Sequence, residues 1–272
     1  MLRLVPLVLL LALATPAADN KPDPSPAEIE QIIQKFAANE AGFLRARENY
    51  TYRQSARMQE IDESGRIGGR YEIISDIIFS AEGKRTERIV RAPVSTLSRI
   101  QLTPEDEQDL RSVQPFVLTS SDIDKYWVRY LGRETLDEIP CYAFAVKPKK
   151  MEQGQRYFQG IVWVDDRDLQ IVKSYGRGAG LTKKGFDNQF PKFETFREQI
   201  DGKYWFPTYT MANAVLPFEN GPQRIKMNVR YEDYKQFKSD VKITFGDAVE
   251  TKETKEPPKD PGKDPGKQPK KP

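Results

Sequence analysis

The chain has 272 residues, with 43 Lys and Arg against 40 Asp and Glu, no histidine and one cysteine. The absence of histidine excludes Ser–His nucleophile pairs and the usual histidine-bearing zinc sites, and a lone cysteine excludes an internal disulfide. The formal excess of +3 is matched by residues 252–272 alone, with seven Lys and four acids, so the rest is near neutral and has no bulk drive toward nucleic-acid phosphates.

Residues 1–18 form an apolar run behind Arg3 that ends in small residues around Ala17 and Ala18. The run is short for a bilayer span, which predicts a secretory signal peptide and a periplasmic or secreted protein rather than an integral membrane one. No cysteine lies near the cleavage region, so no bacterial-type lipid anchor is expected. After a short Lys21–Pro24 linker, Ser25-Pro26-Ala27-Glu28 offers an N-cap, a proline at the first helical position and a capping-box acid. Ile29, Ile32, Ile33, Phe36, Phe43 and Leu44 follow at helical spacing, predicting an amphipathic helix over 26–45 that packs on a sheet or serves as a lid.

From Tyr50 the apolar period falls to two. Tyr50, Tyr52, Ala56 and Met58 share one face; after a Ser64-Gly65-Arg66 turn, Tyr71, Ile73, Ile77 and Phe79 share another, and a third strand runs over 85–91. Thr103-Pro104-Glu105-Asp106-Glu107 starts a second helix, to about residue 112, with its acids at the positive end of the dipole. A loop is expected over 114–124. Strands resume over 126–132, 139–147, 157–165, 169–175, 193–200, 204–212 and 224–234. Asp201-Gly202 suits a type I′ hairpin turn. Cys141, in an alternating strand, reads as a small buried hydrophobe. The domain is expected over 25–247. Residues 248–272 repeat Asp-Pro-Gly-Lys without a large apolar side chain and are expected to be a disordered tail.

Asp165-Asp166-Arg167-Asp168 has the composition of a calcium loop or a carboxylate pair. Leu169-Gln-Ile-Val172 returns to strand at once, which leaves no room for ligands spread over about twelve residues, so an acidic turn is the better reading. Gly176-Arg-Gly-Ala-Gly180 leads into no helix and so lacks the N-terminus a phosphate cradle needs; it is expected to be a flexible rim. No catalytic residue, metal site or cofactor is predicted.

Strands 157–165 and 169–175 are apolar on both faces, so the sheet must be covered on both or must enclose something. With that meander, the N-terminal helix and the short Thr-Pro-Glu helix, Gly160-Ile-Val-Trp163-Val-Asp165 followed by Leu169-Gln-Ile-Val-Lys173 resembles the LolA/LolB-like superfamily of exported bacterial proteins. Phe190-Pro-Lys-Phe193 and Gln199–Pro207 are similar to its outer-membrane lipoprotein-sorting subgroup. The resemblance covers roughly residues 26–238. It implies an open antiparallel half-barrel of about ten strands, mainly β, with helices covering an apolar concave face. It also implies a non-catalytic binder of lipids or lipoprotein acyl chains in the periplasm. The arginine that controls lid opening in true lipoprotein carriers has no clear counterpart; Arg45, Arg47 and Arg53 are the candidates.

The expected ligand-lining residues are Ile33 and Phe36 from the helix and Tyr52, Ile73, Ile77, Phe79, Tyr142, Phe144, Val162, Phe196 and Phe206 from the sheet. The expected partners are a lipid or a lipidated protein, with envelope membrane proteins as further candidates, and the expected state is a monomer. The alternative is an envelope interaction or sensor module on the same fold with a filled core.

Overall fold

The computed structural model describes residues 22–80, 83–181, 191–218 and 221–237. Residues 1–21, where a signal peptide is expected, residues 238–272 and most of the 180–192 connection lie outside them. The chain divides into a unit over Met1–Ser239 and a second over Asp240–Pro272.

Ten strands form one antiparallel sheet: β1 Tyr50–Ile61, β2 Ile67–Phe79, β3 Arg85–Arg91, β4 Tyr126–Leu136, β5 Ile139–Pro148, β6 Tyr157–Asp165, β7 Ile171–Ala179, β8 Phe193–Gln199, β9 Trp205–Phe218 and β10 Gly221–Gln236. Their order is β3-β2-β1-β10-β9-β8-β7-β6-β5-β4. Every neighbour but one is a sequence neighbour. The exception is β1 with β10, which pair in antiparallel register from Tyr50↔Gln236 to Ile61↔Arg224. The sheet stays open, with β3 and β4 as edges, so it is a half-barrel rather than a closed one. The side-chain alternation of each strand sets its register, because a slip by one residue would turn every buried side chain to the opposite face.

Helix α1 spans Pro26–Arg47 and begins at the predicted capping box: Ser25 Oγ accepts from the Glu28 amide, and the Ser25 amide donates to Glu28 at 2.8 Å. Its buried stripe is Ile33, Phe36, Ala37, Glu40 and Phe43. Helix α2, Pro104–Gln108, carries a second capping box from Thr103 and Asp106 and runs directly into a π-helical turn over Asp109–Val113. Both helical segments lie on the same side of the sheet. Phe36 meets Phe144 with ring centroids 5.4 Å apart, and Phe116, just after the π turn, stacks on Phe158 at 4.4 Å. Fully burying side chains of this size contributes about 1.5–3 kcal/mol each.

Two local expectations change. The Asp201-Gly202 connection occupies residues 200–204 and is not a type I′ turn. Gly202 has positive φ, but Asp201 instead accepts from the Lys203 and Tyr204 amides through its carboxylate. The glycine-rich run Gly176–Ala179 is part of β7, not a flexible rim. A Cβ on Gly178 would collide with the Asp109 carboxylate, and one on Gly176 would come within 2.8 Å of the Phe158 ring. Gly178 thus lets the second covering segment approach the sheet, whereas Gly176 leaves room for the neighbouring strand β6.

Candidate functional site

The concave face is one continuous apolar cluster. Tyr52 from β1, Ile77 and Phe79 from β2, Tyr142 and Phe144 from β5 and Val162 from β6 meet Ile33 and Phe36 of α1 within it, and Ile73 packs against its margin. Phe206 belongs to an adjoining cluster with Phe43 and Tyr50 on the same side. Phe196 is the correction. Its neighbours Thr195 and Arg197 point to the covers, so Phe196 faces outward, beneath the Lys173 ammonium 4.9 Å from its ring centre. The period of two in β8 required this, and the aromatic character of Phe196 misled.

Two buried ion pairs tie the covers to the sheet, and neither was read from the sequence. On α1, Glu40 is fully buried and takes both oxygens to Arg197 Nη1 of β8 at 3.1 Å, while the Ile171 amide donates to it at 3.0 Å. The same guanidinium donates through Nη2 to the Phe116 carbonyl and lies 5.1 Å from the Phe43 ring. Arg197 therefore touches both covers at once. In the second cover, Asp109 receives Arg156 Nε at 2.8 Å and Nη2 at 2.6 Å in a fork geometry. Burial raises the pKa of Glu40 and of Asp109, and the facing arginine only partly offsets it. The signal for Glu40 was present: it stands four residues after Phe36 and three before Phe43, a charge on an apolar stripe.

The candidate lid arginines lie elsewhere. Arg45 is exposed, Arg47 rests over Phe43 at 5.8 Å, and Arg53 is on the outer face, paired with Asp76 at 2.9 Å. Arg197 is the arginine that joins helix to sheet.

Where the covers end, the concave face emerges. Between β2, β3 and the second cover lies a groove of 250 Å³, lined by Tyr71, Ile73, Ile89 and Leu110, with Gln54, Glu87, Glu107 and Arg111 as its polar wall. Ile89 is 60% exposed there, while Tyr71 and Ile73 pack against the core cluster. Arg111 bridges Glu107 at 2.8 Å and Glu87 at 3.9 Å across this mouth.

On the outer face, Cys141, Ala143, Trp163 and Val172 form a small separate cluster. Cys141 is buried as expected, and burial pushes its thiol up to about 12. The acidic run is a turn. Asp165 caps the Arg167 amide, and burial together with Asp168 raises its carboxyl to about 6. Asp166 pairs with Arg133 and Asp168 accepts from Gln199 and Trp205. Among the described residues no group of three or more His, Cys, Asp or Glu side chains is placed to hold a metal ion, and no helix is long and apolar enough to cross a membrane.

No family model and no curated protein matches the chain. Solved structures do. A LolA superfamily protein from Nitrosomonas europaea is similar at 14% identity and TM-score 0.36, covering 76% of this chain and 93% of that one. A DUF1329 family protein from Desulfovibrio piger gives 16% and 0.38, covering 79% and 94%. A putative outer-membrane lipoprotein-sorting protein domain from Vibrio parahaemolyticus gives 12% and 0.33, covering 74% and 92%. At these values the likeness concerns architecture only.

Proposed function

We propose that this protein is an exported, non-catalytic binder or carrier of a hydrophobic ligand, such as a lipid or the acyl chains of a lipoprotein. The ligand lies between the concave face and its covers and enters at the groove beside the second cover. The observation behind this reading is that groove: Tyr71, Ile73, Ile89 and Leu110 form an apolar mouth continuous with the core. An acyl chain needs chiefly apolar area, worth about 25 cal/mol per Å² buried. Ile73, Ile77, Phe79, Tyr52, Tyr142, Phe144, Val162 and Phe206 on the sheet, with Ile33 and Phe36 on α1, would line its path as the covers yield. Phe196, facing outward, drops out of that set.

Native mass spectrometry of protein isolated from the exporting cell is expected to find a co-purifying lipid. The isolated protein should also take up a fluorescent fatty acyl probe, and Ile73→Asp with Ile89→Asp should weaken that uptake at least about tenfold by charging the mouth. Lipid-free protein that takes up no probe would overturn the reading.

A second reading is an envelope interaction module with a filled core. It draws on the packing of the concave face: Phe36, Phe144, Phe158 and Val162 have no exposed surface. A larger groove of 550 Å³ lies elsewhere, beside the ends of β7 and β9, among Tyr175, Phe193, Met211 and Val215. A lipid-free protein whose Met211→Asp variant loses a partner that the Ile73→Asp variant keeps would favour this reading.

A further inference from the structure

The outer face of β3, β2, β1 and β10 has a charge arrangement that the ligand-binding reading does not use. Asp76 of β2 is held by Arg53 of β1 at 2.9 Å and by Arg88 of β3 at 2.7 Å. Four residues away, Glu72 is held by Arg57 of β1 at 2.9 Å and by Arg91 of β3 at 3.8 Å. Each carboxylate is shared by two guanidiniums, so each triad keeps a net positive charge. The carboxylate side chains are only 16–17% exposed, whereas those of Arg88 and Arg91 are 70% and 67% exposed. The acids therefore lie beneath, and the arginines meet solvent.

The neighbouring β10 extends the pattern. Register places Arg224, Lys226 and Arg230 on this same face, opposite Ile61, Gln59 and Ser55, with Glu232 as its acid. A depression of 340 Å³ at one end is lined by Arg53, Arg88 and Lys235, with Asp76 and Asp233. The two triads stand about 13 Å apart along the strands, and the four strands span about 14 Å. The cations thus spread over a surface and do not follow one track.

Exposed aliphatics adjoin them. Val90 is 50% exposed on the β3 edge and Val94, just past it, is 91% exposed. Arginines beside bare aliphatic side chains form the pattern that meets an interface, where cations attract anionic headgroups and apolar groups enter the acyl boundary. A soluble polyanion would use the charges and leave the valines idle.

We propose that this face, with the β3 edge, docks the protein on an anionic lipid bilayer. The groove beside β3 opens at that same edge but on the opposite, concave face of the sheet. The docking stands whether or not that groove takes an acyl chain.

The test is vesicle co-sedimentation of the full chain, using phosphatidylcholine vesicles with roughly a third phosphatidylglycerol. The face variant is Arg88→Gln, Arg91→Gln, Lys226→Gln and Arg230→Gln together, which leaves Asp76 with Arg53 and Glu72 with Arg57. The control, Arg129→Gln, Lys147→Gln, Arg177→Gln and Lys192→Gln, removes the same charge from the other half of the chain's sheet and its approach to β8. Thermal melts establish that both fold.

The face variant is expected to bind these vesicles at least about tenfold more weakly, and the control to lose less than about twofold. Val90→Ser with Val94→Ser should weaken vesicle binding while leaving binding to inorganic polyphosphate unchanged. Equal losses in face and control variants would overturn the proposal, because net charge alone would then account for binding. It would also be overturned if the face variant bound vesicles normally, or if polyphosphate binding fell with the valines as vesicle binding did.

Discussion

The two covers of the concave face are built differently. Helix α1 has 22 residues, a capping box and a buried stripe from Ile33 to Phe43, so packed area holds it along its length. The second cover is a five-residue helix, a π turn and an extended segment that reaches Leu118. It buries Leu110, Val113, Phe116 and Leu118, but its backbone is fixed by a few side chains: Asp109 to Arg156, Thr195 to the Gln114 carbonyl at 2.9 Å, and Arg197 to the Phe116 carbonyl. A short, irregular segment without a continuous ladder of its own backbone hydrogen bonds opens locally at lower cost than a long capped helix. The groove lies beside this second cover, so under the proposed function this is the side expected to yield to a ligand.

The strongest test of that contrast is Arg197, because it serves both covers. Arg197→Ala leaves Glu40 buried without its partner and is expected to cost about 3–5 kcal/mol in urea unfolding. The double variant Glu40→Leu with Arg197→Met should regain much of this, since it removes both charges and fills similar volume. A single-variant loss below about 1 kcal/mol would mean that the pair is not what seats α1.

Next in size is Asp109→Ala, expected to cost about 2–4 kcal/mol by removing the forked carboxylate partner of the buried Arg156. The contrast predicts where the loss falls. Hydrogen exchange should quicken across 104–118 while the α1 amides stay protected. Exchange that quickens equally in both covers would mean that they open as one unit.

How much of this was legible in the sequence depended on the kind of signal. The ten strands and both capping boxes could be read, because period-two alternation and Ser/Thr-Pro-x-acid starts are local properties of the chain. The pairing of β1 with β10 was not, since it joins residues such as Tyr50 and Gln236 that no local pattern links. Phe196 was placed by its aromatic character when the alternation of Phe193, Thr195 and Arg197 put it on the other face. Glu40 gave a signal, a charge within an apolar stripe, but its partner on β8 is 157 residues away. Gly178 looked like loop material because its reason for being glycine, the carboxylate of Asp109 pressed against it, is a tertiary contact.

A smaller effect separates the covers by pH. The Asp165 turn touches α1 through the neighbouring Asp168 and Leu169 carbonyls, which accept from Asn39 at 2.8 and 3.3 Å. The Asp165 carboxyl is raised to about 6 from its ordinary 3.8, so the folded state binds a proton more readily than the unfolded chain. This group's contribution to stability therefore falls as pH rises through about 6, and it grows as pH drops from 7 toward 4. Asp165→Asn should be at least as stable as the parent at pH 7.5 and should flatten the rise on acidification. A parent that loses stability steadily from pH 7 to 5, with the variant parallel to it, would contradict the assignment.

The smallest effect is expected at Cys141, which lies under neither cover. Its thiol donates to the Ile139 carbonyl at 3.3 Å within the small outer cluster of Ala143, Trp163 and Val172. A serine hydroxyl at this position inherits the same acceptor, so the penalty of burying it is largely offset and Cys141→Ser should cost no more than about 1 kcal/mol. Because the site is on the opposite face of the sheet, exchange in α1 and in 104–118 should be unchanged. The native thiol, buried and with its pKa pushed up to about 12, should label far more slowly than in urea. Rapid native labelling would mean that the outer cluster opens on its own, and a change in either cover's exchange would mean that the two faces of the sheet are coupled.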